Sequence, residues 1–335
     1  MPEQWNHKVF GVKEDEFETL ALEVFKFQSE NCPVYKDFLQ ALKLDPGSVQ
    51  SIAHIPFLPV SFFKSQAIQT TSFKPAAIFE SSGTTGSINS RHLIKNLSLY
   101  EESFTRGFEL YYGPISEWCI IGLLPSYLER KNSSLVYMVE KLIQLSEHPQ
   151  SGFYLNEYEQ LFILLNELEK RRQKTLLIGV TFALLDFAEA YPQPLQHTVI
   201  METGGMKGRR EEMIRPQVHQ LLKNAFGLSK IHSEYGMTEL LSQAYSKGEG
   251  VFSCPPWMKI LIRDEEDPLN VKTVSRFQTV APIAGTINII DLANIYSCSF
   301  IATDDVGKIN TDGSFEVLGR IDGSDLRGCS LMVAL

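Results

Sequence analysis

From Ser133 to Glu239 the chain alternates helical and strand-like stretches, and this alternation restricts the fold more than any other feature. The helical runs "SSLVYMVEKLIQL" (with Ser133 or Ser134 as cap) and "EYEQLFILLNELEKRR" are followed by the apolar strand "KTLLIGV". Next come the helix "TFALLDFAEAY", the strand "HTVIMETGG", the helix "REEMIRPQVHQLLKNAFG" with Pro216 inside its first turns, and the strand and loop of "KIHSEYGMTE". Strands alternating with helices of these lengths imply a parallel α/β sheet. Upstream, "WCIIGLLP" reads as a buried strand stopped by Pro125, and "AAIFESSGTTG" as a strand entering a loop. A helix over Asn96 to Tyr112 would bury Leu97, Leu99, Tyr100 and Phe104. Residues 14–43 read as helical with a break near "NCPVYKD", and "SIAHIPFLPVSFFKS" as extended or irregular because of Pro56 and Pro59. From Pro256 the pattern changes to strands joined by Asp- and Gly-containing turns: "WMKILIRD", "AGTINIIDL", "SCSFIATDDVGKI" and "SFEVLGRI". The expectation is an α/β core over 1–255 and a smaller β-rich subdomain over 256–335, ending in a tail that carries a cysteine.

Charge and cysteine usage exclude several classes of partner. A formal net charge of -9 over 335 residues repels a nucleic-acid backbone. The one dense basic run, Lys170-Arg171-Arg172, ends a helix, where cations suit the dipole. The polar, acidic N-terminus is no signal peptide, and no apolar run is long enough for a membrane span. Cys32, Cys119, Cys254, Cys298 and Cys329 are odd in number and contain no CxxC, which fits reduced thiols in a cytoplasmic protein. The histidines form no cluster that suggests a metal site.

Four stretches carry chemistry. In "FESSGTTGSINSRH", Ser81, Ser82, Thr84 and Thr85 with Gly83 and Gly86 offer backbone N–H groups and hydroxyls to a polyphosphate. The loop is not a Walker A motif, and Arg91 and His92 could add positive charge beside it. An ordinary surface Ser/Gly/Thr loop is the alternative. Gly204 and Gly205 follow the strand "TVIM", at the strand end where parallel sheets bind ligands. In "HSEYGMTEL", Tyr235 offers a ring for a base, Gly236 allows close approach, Thr238 is a short donor and Glu239 could hold a divalent ion. Core packing of Tyr235 and a solvated Glu239 are the alternatives. In "ATDDVGKINTDGSFEVLGRIDGSDLRGC", Asp304 and Asp305 could accept from ribose hydroxyls, or could belong to a hairpin turn.

In their order and spacing, "SSGTTG", "YGMTE", "TDDVG" and "GRIDGSDLRG" resemble the adenylate-forming superfamily of acyl-CoA synthetases and related ligases, over about residues 79 to 329. "LPSYLERKNSSLVYMVEKLI", "METGGMKGRREEMIR" and "EVLGRIDGSDLRGCSLMV" look like its LuxE-type acyl-protein synthetase branch. The resemblance implies a fold of the adenylate-forming N-terminal type, with the smaller β-rich part and without the usual C-terminal domain. It implies ATP and Mg²⁺ as cofactors, and a fatty or other carboxylic acid as substrate. Ser82, Gly83, Thr84, Thr85 and Gly86 would wrap the phosphates, and Tyr235 and Gly236 would border the adenine; Gly204 and Gly205 join the cofactor-binding candidates by their place at the strand end. Thr238 would contact the α-phosphate, Glu239 would hold the metal, and Asp305 would bind the ribose. Arg320 would reach ribose or phosphate, and Asp322 would lie near the hinge. Cys329 would accept the acyl group as a thioester and pass it to a fatty acyl-CoA reductase partner.

Two departures qualify the resemblance. Asn89 stands where typical members have a lysine after the glycine-rich loop; Arg91, Arg209 and Arg210 are candidate substitutes. The chain also ends shortly after the hinge motif, as LuxE-like proteins do. Two rival readings stay open: a phenylacetate-type ligase that transfers the acyl group to coenzyme A, and an inactive scaffold of the same fold. Leu123, Leu124, Phe182 and Leu184 could line an acyl tunnel or simply be core.

Overall fold

The computed structural model describes residues 2–81, 88–125, 132–204, 213–272 and 282–321. The expectations for Ser82, Gly83, Thr84, Thr85, Gly86, Gly205, Asp322 and Cys329, and for the cations Arg209 and Arg210, lie outside these residues. The chain begins with α1 (Pro2–Phe10), α2 (Phe17–Asn31), α3 (Pro33–Ala41), β1 (Leu58–Pro59), α4 (Phe62–Ser65), β2 (Ala77–Glu80), β3 (Arg91–Ile94) and α5 (Leu97–Tyr112). Its middle carries β4 (Cys119–Leu123), α6 (Ser134–Ser146), β5 (Gly152–Phe153), α7 (Tyr158–Lys170), β6 (Thr175–Val180) and α8 (Thr181–Ala190). There follow β7 (Thr198–Thr203), α9 (Arg215–Phe226), β8 (His232–Tyr235), β9 (Ala244–Ser246) and β10 (Val251–Ser253). Last come β11 (Met258–Arg263), β12 (Val271–Lys272), β13 (Ile283–Asp291), β14 (Phe300–Ile309) and β15 (Phe315–Arg320). Among the described residues no helix is long and apolar enough to cross a membrane.

Two compact units emerge. Among the described residues, one joins the chain up to Phe104 with Met237–Gln243 and residues 253–321; the other comprises Thr105–Gly236 and Ala244–Phe252. The division is therefore discontinuous in sequence, whereas the sequence pattern suggested a single cut after residue 255.

The second unit is the parallel core. Its strands run in the order β10-β9-β8-β7-β6-β4-β5. β4 pairs in parallel with β5 and β6, β6 with β7, and β7 with β8, while β9 is antiparallel to β8. Every residue of β4 and β6 is buried, as parallel strands covered on both faces require. Local signals set the helix ends. The Ser133 hydroxyl accepts from Val136 N at 3.3 Å to cap α6. In α9, Pro216 occupies the first turn, where its missing N–H costs nothing, and Gly227 at φ 62° closes the helix in the left-handed conformation.

The first unit is β-rich. β12-β11-β13-β14-β15 form an antiparallel run, with β1 parallel to β14, and β2–β3 form a separate hairpin. The helical break expected near "NCPVYKD" falls at Cys32, where α2 ends and Pro33 starts α3. Behind the sheet, Phe300 stacks on Tyr35 at 6.2 Å and meets Phe25 edge-on at 5.9 Å. Gln28 of α2 donates to the carbonyls of Asn294 and Ile295 and accepts from Ser299 N, tying the β13–β14 connection to the helix. Leu99, Tyr100 and Phe104 of α5 are buried as expected, while Leu97 at its start is only half-buried. β3 is a strand that the alternation did not signal.

Candidate functional site

The acidic pair and its arginine are built by strand register. β14 and β15 place Asp305 opposite Arg320. Arg320 Nε donates to Asp305 Oδ1 at 3.0 Å, and its Nη2 lies 3.9 Å from Asp304 Oδ2. Two predicted site residues thus meet as a buried ion pair. The Asp305 amide donates to Thr303 Oγ1 at 3.1 Å, and that hydroxyl donates to Ile287 O at 2.8 Å. Arg263 braces the same region and was missed in the sequence. It donates to Ile287 O, Asn288 Oδ1 and Thr303 O at 2.6–2.9 Å. Burial lowers the pKa of its guanidinium from the ordinary value, against the opposing charges of Asp304 and Asp305.

Thr238 and Glu239 sit in an irregular segment after β8. Glu239 is 1% exposed, so the solvated alternative does not describe it. Its carbonyl accepts from Asn294 Nδ2 at 2.8 Å, and the Thr238 carbonyl is bonded by His92 Nδ1 at 2.8 Å. Among the described residues no group of three or more His, Cys, Asp or Glu side chains forms a metal site. A lone carboxylate nevertheless suits Mg²⁺ held mainly by phosphate oxygens and waters.

In the parallel core, Gly204 follows β7 at φ 73°, a conformation that favours glycine. Its carbonyl accepts from Thr181 Oγ1 at 3.0 Å, and the same hydroxyl donates to Glu202 Oε2 at 3.2 Å. Tyr235 is 3% exposed and packs its ring on Phe252 at 6.0 Å; Gly236 follows it. Beneath these strand ends lie two buried carboxylates. Burial raises Glu202, but the hydrogen bond from His219 and the Arg215 guanidinium at 3.3 Å outweigh it and hold the carboxyl below the usual range. Glu234 accepts from Thr203 Oγ1 at 2.5 Å. Burial, with the Glu202 charge adding to it, pushes Glu234 up to about 7.

Of the cationic candidates near the loop, Arg91, a candidate substitute for the absent lysine, and His92, expected to add positive charge, fare differently. Arg91 lies on the surface, 3.9 Å from Glu80. His92 is buried, and burial lowers its pKa to about 4. It supplies no positive charge at neutral pH, which corrects the expectation from sequence. Lys95 lies over the Tyr296 ring at 3.9 Å. Leu123, Leu124, Phe182 and Leu184 are all buried. A Cβ at Gly179 would come within 2.8 Å of Leu184 Cγ and 3.2 Å of Leu123 Cβ, so these leucines pack as core. Burial pushes the thiols of Cys32, Cys119, Cys254 and Cys298 up, Cys119 to about 11.

One family model, described as "Acyl-protein synthetase, LuxE", matches residues 8–334. No curated protein matches the sequence. Among solved structures, a 2-hydroxyisobutyryl-CoA ligase in the postadenylation state with R3-HIB-AMP is similar over 94% of this chain and 69% of its own, with TM-score 0.61 and 12% identity. An open form of that ligase with 2-HIB-AMP and CoA is similar over 92% of this chain and 70% of its own, with TM-score 0.62 and 12% identity. This chain also spans 47% of the length of a coronafacic acid ligase variant from Pectobacterium brasiliense, with TM-score 0.45 and 16% identity over 71% of this chain. The fold is the α/β core of adenylate-forming ligases with its smaller β-rich subdomain.

Proposed function

The chain belongs to the acyl-protein synthetase (LuxE) family, and from that premise we propose that it activates a carboxylic acid with ATP, giving an acyl adenylate and pyrophosphate. The observation that carries this reading is the family match across residues 8–334. A carboxylate oxygen attacks the α-phosphorus, the bond to the bridging oxygen breaks, and pyrophosphate leaves with that electron pair. The acid arrives ionised, so the protein's work is positioning and charge stabilisation. Ser82, Gly83, Thr84, Thr85 and Gly86 hold the departing phosphates, and Thr238 the α-phosphate. Glu239 would hold Mg²⁺, which when bound would neutralise phosphate charge. Asp305, aimed by Arg320, accepts from the ribose hydroxyls, and Gly204, Gly205, Tyr235 and Gly236 border the nucleotide.

Two acceptors are open for the second half-reaction. Coenzyme A is favoured by the fold likeness, over nearly the whole chain, to a ligase solved with acyl-AMP and CoA. A thiol of this protein, with onward transfer to a reductase, is favoured by the family. In that case Cys329 is the candidate, because desolvation raises the thiols of buried Cys32, Cys119 and Cys298 and of half-buried Cys254, which keeps them protonated. The test is ATP–pyrophosphate exchange over a panel of fatty and aromatic acids. Exchange by the wild type and its loss in Glu239→Gln are expected; wild-type exchange in that variant would remove Glu239 from the site. A labelled acid then reports the acceptor. Hydroxylamine-labile label on the protein that disappears in Cys329→Ser assigns the thiol, and label found only on coenzyme A assigns the ligase.

A further inference from the structure

The segment Gly236–Gln243 runs from β8 to β9 outside any strand or helix. Within it, one backbone bond, Leu240 N to Met237 O, closes a turn. Side chains far away in sequence also anchor it. Asp291, at the end of β13, accepts from Leu241 N at 2.8 Å, Ser242 N at 3.0 Å and Ser242 Oγ at 2.6 Å. Asn294, on the turn that follows, donates to Glu239 O at 2.8 Å. His92 Nδ1 bonds Thr238 O at 2.8 Å. All three side chains are buried, and all belong to the same compact unit as Thr238 and Glu239.

His92 comes from the hairpin of β2 and β3. It lies on β3, whose register with β2 pairs Glu80 with Arg91 and so fixes both ends of the small-residue loop. The carbonyl of Thr238 can only accept, so Nδ1 carries the hydrogen. Burial keeps the ring neutral, and Phe63 packs edge-on against it at 5.7 Å. One side chain therefore connects the frame of the phosphate-loop candidate to the backbone that presents the metal-site candidate.

We propose that His92 is a positioning residue for adenylation: its Nδ1–H sets the Thr238 peptide, and through it the direction of the Thr238 hydroxyl and the Glu239 carboxylate, without touching substrate. This rests on the function proposed above. It separates a hydrogen-bonding role from a packing role, because asparagine places an amide donor where Nδ1 stands, glutamine places one where Nε2 stands, and leucine only fills space.

The test compares His92→Asn, His92→Gln and His92→Leu in the full chain, by amide hydrogen exchange of the ligand-free protein and by ATP–pyrophosphate exchange. His92→Asn is expected to keep exchange protection at Leu241 and Ser242 and to retain activity within about threefold of the wild type. His92→Gln and His92→Leu are expected to exchange those amides at least about tenfold faster and to lose about tenfold to a hundredfold in activity, the scale of a small misplacement. Gln or Leu variants with wild-type protection and activity would overturn the proposal. So would an Asn variant that falls as far as Leu, since that would reveal packing alone. A wild type with no pyrophosphate exchange for any acid would refute the adenylation reading, while the amide exchange would still decide whether His92 holds the segment.

Discussion

Replacing Glu234 by glutamine should make the protein's stability less sensitive to alkaline pH. Glu234 is buried on β8 next to Tyr235, accepts from Thr203 Oγ1, and feels the charge of Glu202 on the neighbouring strand. Burial raises its pKa from the ordinary value of 4.5 to about 7. The folded state therefore holds this proton over a pH range in which the unfolded chain has released it, and raising the pH destabilises the fold. Fully expressed, that difference is about 3 kcal/mol, and most of it develops between pH 5 and pH 8.5. Glutamine can still accept from the Thr203 hydroxyl and has no proton to release. Urea unfolding of wild type and Glu234→Gln at intervals from pH 5 to pH 8.5 gives the difference curve. The variant should gain about 2–3 kcal/mol relative to wild type across that range, most of it below pH 7. Parallel curves would show that Glu234 ionises at its ordinary pH and that the burial argument is wrong.

His92 has the opposite sign. Its pKa is lowered by burial, so the unfolded state gains the proton first as pH falls, and wild type should lose about 2 kcal/mol between pH 7 and pH 5 relative to His92→Asn. The Glu234 effect runs against this loss over the same range, so variant-minus-wild-type unfolding curves are needed rather than wild-type curves alone. Arg320→Met leaves Asp305 buried without its guanidinium and should cost about 3 kcal/mol or more in urea unfolding; Asp305→Asn added to it should recover part of that loss, and no recovery would count against the pair. Gly307→Ala brings a Cβ within 2.6 Å of the Glu316 carbonyl and 2.5 Å of Ile287 Cδ1. It should destabilise by about 1–3 kcal/mol, and an unchanged melting temperature would show that β15 yields.

What was legible in the sequence is what depends on neighbours along the chain. The hydrophobic period located β6, α8, β7 and α9, because a 3.6-residue repeat and a fully apolar run differ within a single element. Asp305 and Arg320 could be named because their motifs are local, and they meet because β14 and β15 are joined by a short hairpin turn. Arg263 could not be found this way. In "WMKILIRD" it reads as the charged end of a strand, and its burial follows from pairing with Thr286 on β13. Glu234 was placed on a strand without its neighbour, since only the β7–β8 register, Glu202 opposite Ser233, brings Glu202 near it.

His92 shows the same limit for charge. Its sequence position beside a candidate phosphate loop suggests a cation, because an exposed imidazole is partly protonated near neutrality. The hairpin of β2 and β3 turns it inward, and desolvation then decides its state. A buried ring whose Nδ1 faces a carbonyl is worth more to this site as a neutral donor than as a charge, since protonation would add a desolvation cost and no second partner for the new hydrogen follows from the Thr238 contact. The residues expected to touch substrate come from short motifs, while those that aim them come from β3, from the end of β13 and from the turn after it. The first group is read by type and spacing along the chain. The second becomes visible only when the register of the sheet is known.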